Sequence, residues 1–509
     1  MAHIFTLLKT RSSQLSKLPT WVWLVLIGAS LRLLNLGGES LWFDETFTAW
    51  LTKLDFSAMI RSIQGYDINP PLWYSLEWAT VRVIGSSEWA LRLPAAILGT
   101  IAVLLIWQIA RQFKFEPRTA FVVGIIAAVL PGTLYYSQEA RMYALLLCLI
   151  LGALLAAMRE KWLWFGLCCL AAVYTHTLAV IYVAVLGSTI LLLRLFEKVD
   201  KKRTLADRWR AIRWPVATLV LVVVCWLPWV STILQRATLV GKSFWVPPLN
   251  FEIIVSPFLF LTMGQRSDLT VLFASYILLF VLFVAAIPVL WRWRRKREGI
   301  MILALLFGPP LLLAILSVTW RSIYLFRVLI VSVNLITLVF GYMVCHAPRQ
   351  GRYLILTFLI PVLCLTLIAE YQPSRIKRSP LRERSEVIYQ QFRPGDVVYY
   401  GSYWAAILYD YYLPTPYAVR PNSTDNTFLP STFPNSDEPM GFNQVNFDQL
   451  RAMGYKRAWV VVNINGLSSS EEATEISRIL ATYPHWQLTA YNRPDEPDTI
   501  FLVNLYPAF

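Results

Sequence analysis

The chain has 509 residues, of which 57% are apolar and 15% charged, and its mean hydropathy is +0.52. This composition excludes an ordinary soluble globular protein and predicts a helix bundle in lipid. The net charge of +15 does not indicate nucleic acid, because the basic residues cluster in short loops between apolar stretches. The six cysteines lie in apolar stretches without a CxxC pair, so neither a disulfide framework nor a thiolate metal site is predicted.

Apolar stretches of sufficient length predict a polytopic membrane protein with about eleven transmembrane helices. They lie near 21–37, 90–110, 119–136, 142–158, 162–176, 177–196, 215–235, 269–290, 300–319, 324–345 and 353–371. Lys9, Arg11 and Lys17 precede the first stretch, but no small-residue cleavage site follows them. The N-terminal segment is therefore interpreted as a retained signal anchor.

The basic residues between these stretches predict the orientation. They concentrate in alternate loops, above all at 194–213 and 292–297, so these loops and the N-terminus are expected in the cytoplasm. An odd number of spans then places residues 372–509 outside the plasma (inner) membrane. We thus predict a transmembrane domain over 1–371 and an extracytoplasmic α/β domain over 372–509.

Alternating and helical apolar patterns predict the elements of that second domain. The expected strands are 396–400, 456–463, 486–491 and 499–505, and the expected helices are 402–413 and 469–483. Residues 414–445 are rich in Pro, Asn and Ser, a composition typical of a loop.

The long first outer loop, 38–89, carries the first candidate site. Asp44 and Glu45 follow the first apolar stretch within a few residues, where the headgroup of a lipid-linked substrate would lie. A carboxylate there could accept a proton from an attacking hydroxyl, helped by a low local dielectric. The alternative from the residues alone, of equal weight, is a pair of solvated loop acids.

The second outer turn, 135–143, places Glu139, Arg141 and Tyr143 between two apolar stretches. An arginine at a membrane boundary can bind a phosphate through two parallel hydrogen bonds, and Glu139 can orient it or bind sugar hydroxyls. A local ion pair within an aromatic belt would explain the same residues.

Two further outer positions carry polar groups. His176 lies in the turn of a short hairpin, where a lone histidine is more often a packing residue. Arg321, Tyr324 and Arg327 open the stretch 324–345 from outside. Positive charge on that side runs against the orientation rule, so an anionic partner is expected.

Several catalytic motifs are missing from the sequence. It contains no Gly-rich phosphate loop, GxSxG, HExxH or DxD motif, so no nucleotide cofactor is indicated. The spacing offers no metal-ligand pattern, although carboxylates and His176 could meet in space to bind a divalent ion.

Six short motifs together resemble those of the GT-C membrane glycosyltransferases, in particular bacterial relatives of protein O-mannosyltransferases and of the lipid A aminoarabinose transferase. They are LWFDE (41–45), NPPLWY (69–74), EWALRLP (88–94), YSQEARMY (136–143), TH (175–176) and YLFR (324–327). They follow the family's order over about the first 330 residues.

The resemblance implies an inverting transfer of a sugar from a polyprenyl phosphate, with Asp44 as the base and Glu45 beside it in the site. It also implies that Arg327 reaches the lipid phosphate. The candidate substrate-binding residues are Asp67, Asn69, Glu139, Arg141, Tyr143, His176, Arg321, Tyr324 and Arg327. Asn69 replaces the His that often precedes Pro-Pro in relatives, and Val328 replaces a frequent Tyr.

The expected partners are the polyprenyl-phosphate sugar, an acceptor that is a protein, lipid or glycan, and membrane lipids. Two other classes compete with this interpretation. A lipid or sugar transporter would also need many spans, but it usually shows internal repeats or broken helices in mid-membrane. A non-catalytic envelope scaffold would make the acids of the first outer loop dispensable.

Overall fold

The protein is mostly helical up to residue 371 and mixed α/β beyond it. A computed structural model describes residues 18–196, 205–239, 246–263, 269–371, 381–400, 403–413, 417–419, 446–463, 470–487 and 498–505. The predicted N-terminal anchor residues Lys9, Arg11 and Lys17 lie outside these ranges.

The helices of the first part follow the predicted apolar stretches closely. They are α1 (Thr20–Leu33), α2 (Phe43–Lys53), α3 (Phe56–Tyr66), α4 (Leu72–Ile84), α5 (Glu88–Gln112), α6 (Pro117–Val129), α7 (Pro131–Tyr136), α8 (Tyr143–Met158), α9 (Trp162–Val173), α10 (Ala179–Phe196), α11 (Leu205–Leu239), α12 (Phe251–Met263), α13 (Leu269–Trp293), α14 (Arg297–Thr319), α15 (Ile330–His346) and α16 (Arg349–Glu370). A short 3-10 turn, Phe326–Leu329, leads into α15. Helix α12 was not predicted.

Within the described part of the chain, five helices are long and apolar enough to cross a membrane: α5, α10, α14, Ala206–Gln235 of α11, and Phe326–His346. Shorter apolar helices include α1, α6, α8 and α9. The polytopic helical fold is confirmed, whereas the number of eleven spans stays a prediction.

Two helices form the centre of the bundle. Helix α8 is buried on nearly every side, and α15 is buried along most of its length. A helix that is apolar all round can occupy such a position, because it has no polar face to bury. Helix α8 packs against α5 and α9, and α15 packs against α6 and α14. The segment before each of these two central helices carries candidate site residues.

The first outer loop folds into the helices α2, α3 and α4. Helix α2 begins after Trp42, whose backbone N–H donates to Glu45 Oε2 (3.3 Å), the arrangement by which a third-position Glu closes a helix start. Helix α4 starts after Pro70-Pro71 and ends at Gly85, whose φ of +88° favours glycine. These helices hold Asp44 and Asp67 on ordered backbone.

The C-terminal region contains a five-stranded sheet in the order β2-β1-β3-β5-β4. Its elements are α17 (Leu381–Gln391), β1 (Asp396–Tyr400), α18 (Tyr403–Asp410), β2 (Tyr417–Val419), α19 (Gln449–Ala452), β3 (Arg457–Asn463), α20 (Ser470–Thr482), β4 (His485–Gln487) and β5 (Asp498–Asn504). Strand β1 pairs in parallel with β2 and β3, and β5 runs antiparallel to β3 and β4. The predicted loop 414–445 instead contains β2, and its other residues lie outside the described part.

The extracytoplasmic position of this region stays a prediction that thiol labelling can check. In a protein without its native cysteines, Met453→Cys should react with a membrane-impermeant thiol reagent in intact cells, because Met453 is 55% exposed and should face outward. Arg295→Cys, in the basic segment predicted to be cytoplasmic, should react only after lysis. Labelling of Arg295→Cys in intact cells, with Met453→Cys labelled only after lysis, would show that the orientation is opposite to the predicted one.

Candidate active site

Asp44 lies between two guanidinium groups. It occupies the first turn of α2, and its Oδ2 atom is 2.6 Å from Nη1 of Arg327 and 3.8 Å from Nε of Arg141. The Asp44 side chain is 21% exposed, so it remains accessible to a substrate. The first outer loop, the second outer turn and the start of the tenth predicted span therefore meet at one carboxylate oxygen.

Arg141 links Asp44 to a second carboxylate. Its Nη1 atom donates to the Tyr74 hydroxyl (3.0 Å), and that hydroxyl donates to Asp67 Oδ2. The other Asp67 oxygen accepts from the backbone N–H and the side-chain amide of Asn69, both at 3.0 Å. Two of the predicted substrate-binding residues thus reach Asp44 through Tyr74 and Arg141.

Arg327 is held at the site by more than its ion pair. Its guanidinium lies over the Trp42 ring at 4.6 Å from the ring centroid, a distance at which a cation and an aromatic face attract. The Arg327 side chain is 17% exposed. The 3-10 turn Phe326–Leu329 therefore presents a partly desolvated cation beside Asp44.

His176 is buried in the turn between α9 and α10, where its ring lies 6.1 Å from that of Tyr143. Burial, together with the charges of Arg141 and Arg327, lowers the pKa of His176 to about 3. Its Nδ1 atom accepts from the backbone N–H of Leu178 (3.1 Å). The neutral ring then carries its proton on Nε2, where it can donate a hydrogen bond.

Glu139 lies in the second outer turn and is fully buried. Its backbone carbonyl accepts from the N–H of Arg141 (2.7 Å), and its carboxylate interacts electrostatically with Arg327. The structure therefore places Glu139 close to both arginines of the site.

Glu45 is held in a buried ion pair. It is fully buried, and its two oxygens accept from Nε and Nη2 of Arg92 at 2.8 and 2.7 Å. One of them also accepts from the backbone N–H of Ala140 (2.8 Å). Glu45 thus ties α2 to α5 and to the second outer turn, and its predicted catalytic role stays a prediction. Arg92 and Tyr74, both within the recognised motifs, had not been assigned a role.

Arg321 and Tyr324 each make a hydrogen bond to a neighbouring helix. The Tyr324 hydroxyl donates to the carbonyl of Ile254 on α12 (3.4 Å), and the backbone N–H of Arg321 donates to Leu316 at the end of α14 (3.1 Å). Their proposed binding roles stay predictions.

The Glu45–Arg92 pair has a testable consequence for stability. Glu45→Gln should cost about 3–5 kcal/mol, because it leaves the Arg92 charge buried without its counterion. The expected readout is a clear drop of the melting temperature in detergent. Lys53→Met provides the control. It removes the exposed ion pair between Lys53 and Asp410, whose N–O distance of 2.6 Å is close to the 2.7 Å of the Glu45–Arg92 pair. It should change stability by at most about 1 kcal/mol. An unchanged melting temperature with lost turnover in Glu45→Gln would contradict this structural role and support the predicted catalytic one.

The described residues contain no cluster of three or more His, Cys, Asp or Glu side chains that could hold a metal ion. Asp44, with Arg141 and Arg327 beside it, offers a carboxylate between two cations.

Comparison with known proteins supports the resemblance seen in the motifs. Residues 69–230 match the family model described as dolichyl-phosphate-mannose-protein mannosyltransferase. No curated protein matches the sequence significantly.

Two solved structures share the fold over nearly the whole chain. ArnT from Cupriavidus metallidurans in the apo state is 13% identical, with a TM-score of 0.63, over 95% of this chain and 97% of that protein. The same protein bound to undecaprenyl phosphate has a TM-score of 0.60 at 13% identity, over 94% and 97%. The chain therefore shares the fold of ArnT, and residues 69–230 are similar to the dolichyl-phosphate-mannose-protein mannosyltransferase family.

Proposed function

We propose that this protein moves a sugar from a polyprenyl phosphate to an acceptor at the extracytoplasmic face, in one inverting displacement with Asp44 as general base. The observation that carries the proposal is the position of Asp44 between Arg141 and Arg327. A carboxylate that can accept a proton stands there beside two cations that can bind a phosphate. The ArnT structure with undecaprenyl phosphate supports a carrier of that class.

In the proposed reaction the acceptor oxygen attacks the anomeric carbon and transfers its proton to Asp44. The bond between that carbon and the phosphate oxygen breaks, and its electron pair stays on the phosphate. The carrier thereby changes from a singly charged diester to a doubly charged monoester. The two guanidinium groups match that charge and so stabilise the transition state. His176 Nε2 offers a further, neutral donor to the carrier or the sugar.

In the donor-free geometry the Asp44 carboxylate already has a partner. Asp44 Oδ2 is paired with Arg327 at 2.6 Å, so this pair must loosen before the carboxylate can bind the acceptor hydroxyl. A bound phosphate competes for the same guanidinium and reduces its hold on Asp44. The donor is therefore proposed to bind before the acceptor loses its proton.

The proposal can be tested with purified protein in detergent and a panel of polyprenyl-phosphate sugars that differ in the sugar. Release of free polyprenyl phosphate from at least one donor, in the presence of membrane extract as a source of acceptor, is the expected result. If the same donors are bound but none is cleaved, the protein is not the proposed transferase.

A further inference from the structure

The turn that follows α18 lies against the loop that carries Asp44. The Tyr412 hydroxyl accepts from the backbone N–H of Leu41 at 2.6 Å, across 371 residues of sequence. The same hydroxyl donates to Glu88 Oε1 (3.2 Å). The backbone just before α2 thus takes one of its hydrogen bonds from the C-terminal region.

A small apolar cluster joins the same tyrosine to both parts of the candidate active site. Its buried members are Leu41, Ala49, Leu91 and Ala140, and Tyr411 and Tyr412 pack against them. Leu41 shortly precedes Asp44, and Ala140 lies between Glu139 and Arg141. One pair of tyrosines therefore supports both the carboxylate and one of its two arginines.

Further polar contacts secure this interface on either side of the tyrosine pair. Arg382 donates to Glu88 Oε1 (2.7 Å) and to the carbonyls of Gly37 (3.1 Å) and Gly38 (3.2 Å). Lys53, at the end of α2, is paired with Asp410 (2.6 Å). The chain from residue 37 to residue 53 is thus attached to the C-terminal region at its beginning, at Leu41 and at its end.

We propose that the C-terminal α/β region positions the active site, and that Tyr412 is the positioning residue through which it sets the place of Asp44. The inference rests on the proposed function. Misplacement of a reacting group by about 1 Å can cost ~10²-fold in rate, so a single hydrogen bond at the start of α2 is expected to matter. Tyr412 itself touches no reacting atom.

The variant Tyr412→Phe tests this inference, because it keeps the ring against Leu41 and removes only the hydroxyl. Amide hydrogen exchange at Leu41 should become about fivefold faster in donor-free protein, as expected for the loss of one ordinary hydrogen bond. With a donor that the wild type accepts, kcat should fall about tenfold while the donor KM changes less than about twofold, because Arg327 is untouched.

Tyr483→Phe is the matched control. It removes another tyrosine hydroxyl of the C-terminal region, one that donates to Asp448 (2.8 Å), far along the chain from the contacts with the first outer loop. Exchange at Leu41 and kcat should both stay at the wild-type level in that variant.

Unchanged exchange at Leu41 in Tyr412→Phe would overturn the inference, as would a kcat equal to that of the control. So would a fall in melting temperature large enough to explain the lost turnover. If the wild type cleaves no donor at all, the proposed function fails, while the exchange measurement still decides whether Tyr412 fixes the Asp44 segment.

Discussion

Replacing Asp44 with Asn should lower turnover by ~10²-fold or more, since positioned general bases contribute on that order. Asn has nearly the same shape but cannot take the proton of the acceptor. Removal of the negative charge also leaves Arg141 and Arg327 without the Asp44 carboxylate. Binding of the donor phosphate should therefore be retained or strengthened, even as turnover is lost. Steady-state turnover and donor binding measured on the same preparation would show both effects.

Asp55→Asn is the matched control for this variant. Asp55 belongs to the same outer loop, is exposed, and stands at the start of α3 without a side-chain capping bond. Its replacement should leave turnover near the wild-type level. Near-wild-type turnover in Asp44→Asn would remove Asp44 from the mechanism.

Replacing Arg327 should weaken donor binding. The loss should be larger when the new side chain keeps less of the charge and hydrogen bonding of the guanidinium. Arg327→Ala loses both the charge and the hydrogen bonds, so donor affinity should fall about 10- to 100-fold, the usual range for hydrogen bonds to a charged group. Arg327→Lys keeps the charge but lacks the planar fork, so the loss should be smaller. Titration of both variants with a polyprenyl-phosphate sugar measures the two affinities.

A structural role for Arg327 competes with the phosphate role, because its guanidinium already pairs with Asp44 at 2.6 Å and interacts with Glu139. The two roles separate when donor affinity and melting temperature are measured together without donor. A phosphate role predicts lost affinity with little change in melting temperature. A variant that melts early but keeps its donor affinity once folded would refute the phosphate assignment.

The protonation state of Glu77 offers a prediction about stability against pH. Burial, with the nearby Glu45 charge, raises the pKa of the Glu77 carboxyl well above its ordinary value. A raised folded-state pKa favours the fold at low pH, and that contribution is lost as pH rises toward the folded-state pKa. Glu77→Gln should therefore melt higher than the wild type, by a margin that grows with pH. A margin that shrinks with rising pH would show that Glu77 is ionised in the fold.

Local patterns in the sequence predicted much of the fold. Apolar length located the bundle helices, and period-two alternation located strands β1, β3 and β5 within a residue or so. The same patterns missed α12, which contains Pro257 and follows Pro247-Pro248, and they missed β2 inside a stretch rich in turn-forming residues. Short helices and strands contain too few residues to show a clear apolar period in the sequence.

The candidate site, too, could be predicted from the sequence only in part. The sequence singled out Asp44, Arg141 and Arg327, which the structure brings together although Arg141 and Arg327 lie 97 and 283 residues from Asp44. Their catalytic and binding roles stay predictions. The pairing of Glu45 with Arg92 and of Leu41 with Tyr412 had no local pattern to reveal it. Such contacts depend on how distant segments pack, which a single sequence does not show.

The most direct test of the central claim follows a donor labelled separately in its sugar and in its polyprenyl chain. In proteoliposomes supplied with membrane acceptor, the wild type should release one free polyprenyl phosphate for each sugar that becomes attached to the acceptor. The Asp44→Asn protein should release almost none. If the two labels instead stay joined while the intact donor crosses the bilayer, the protein is a transporter of the lipid-linked sugar and the proposed transfer reaction is wrong.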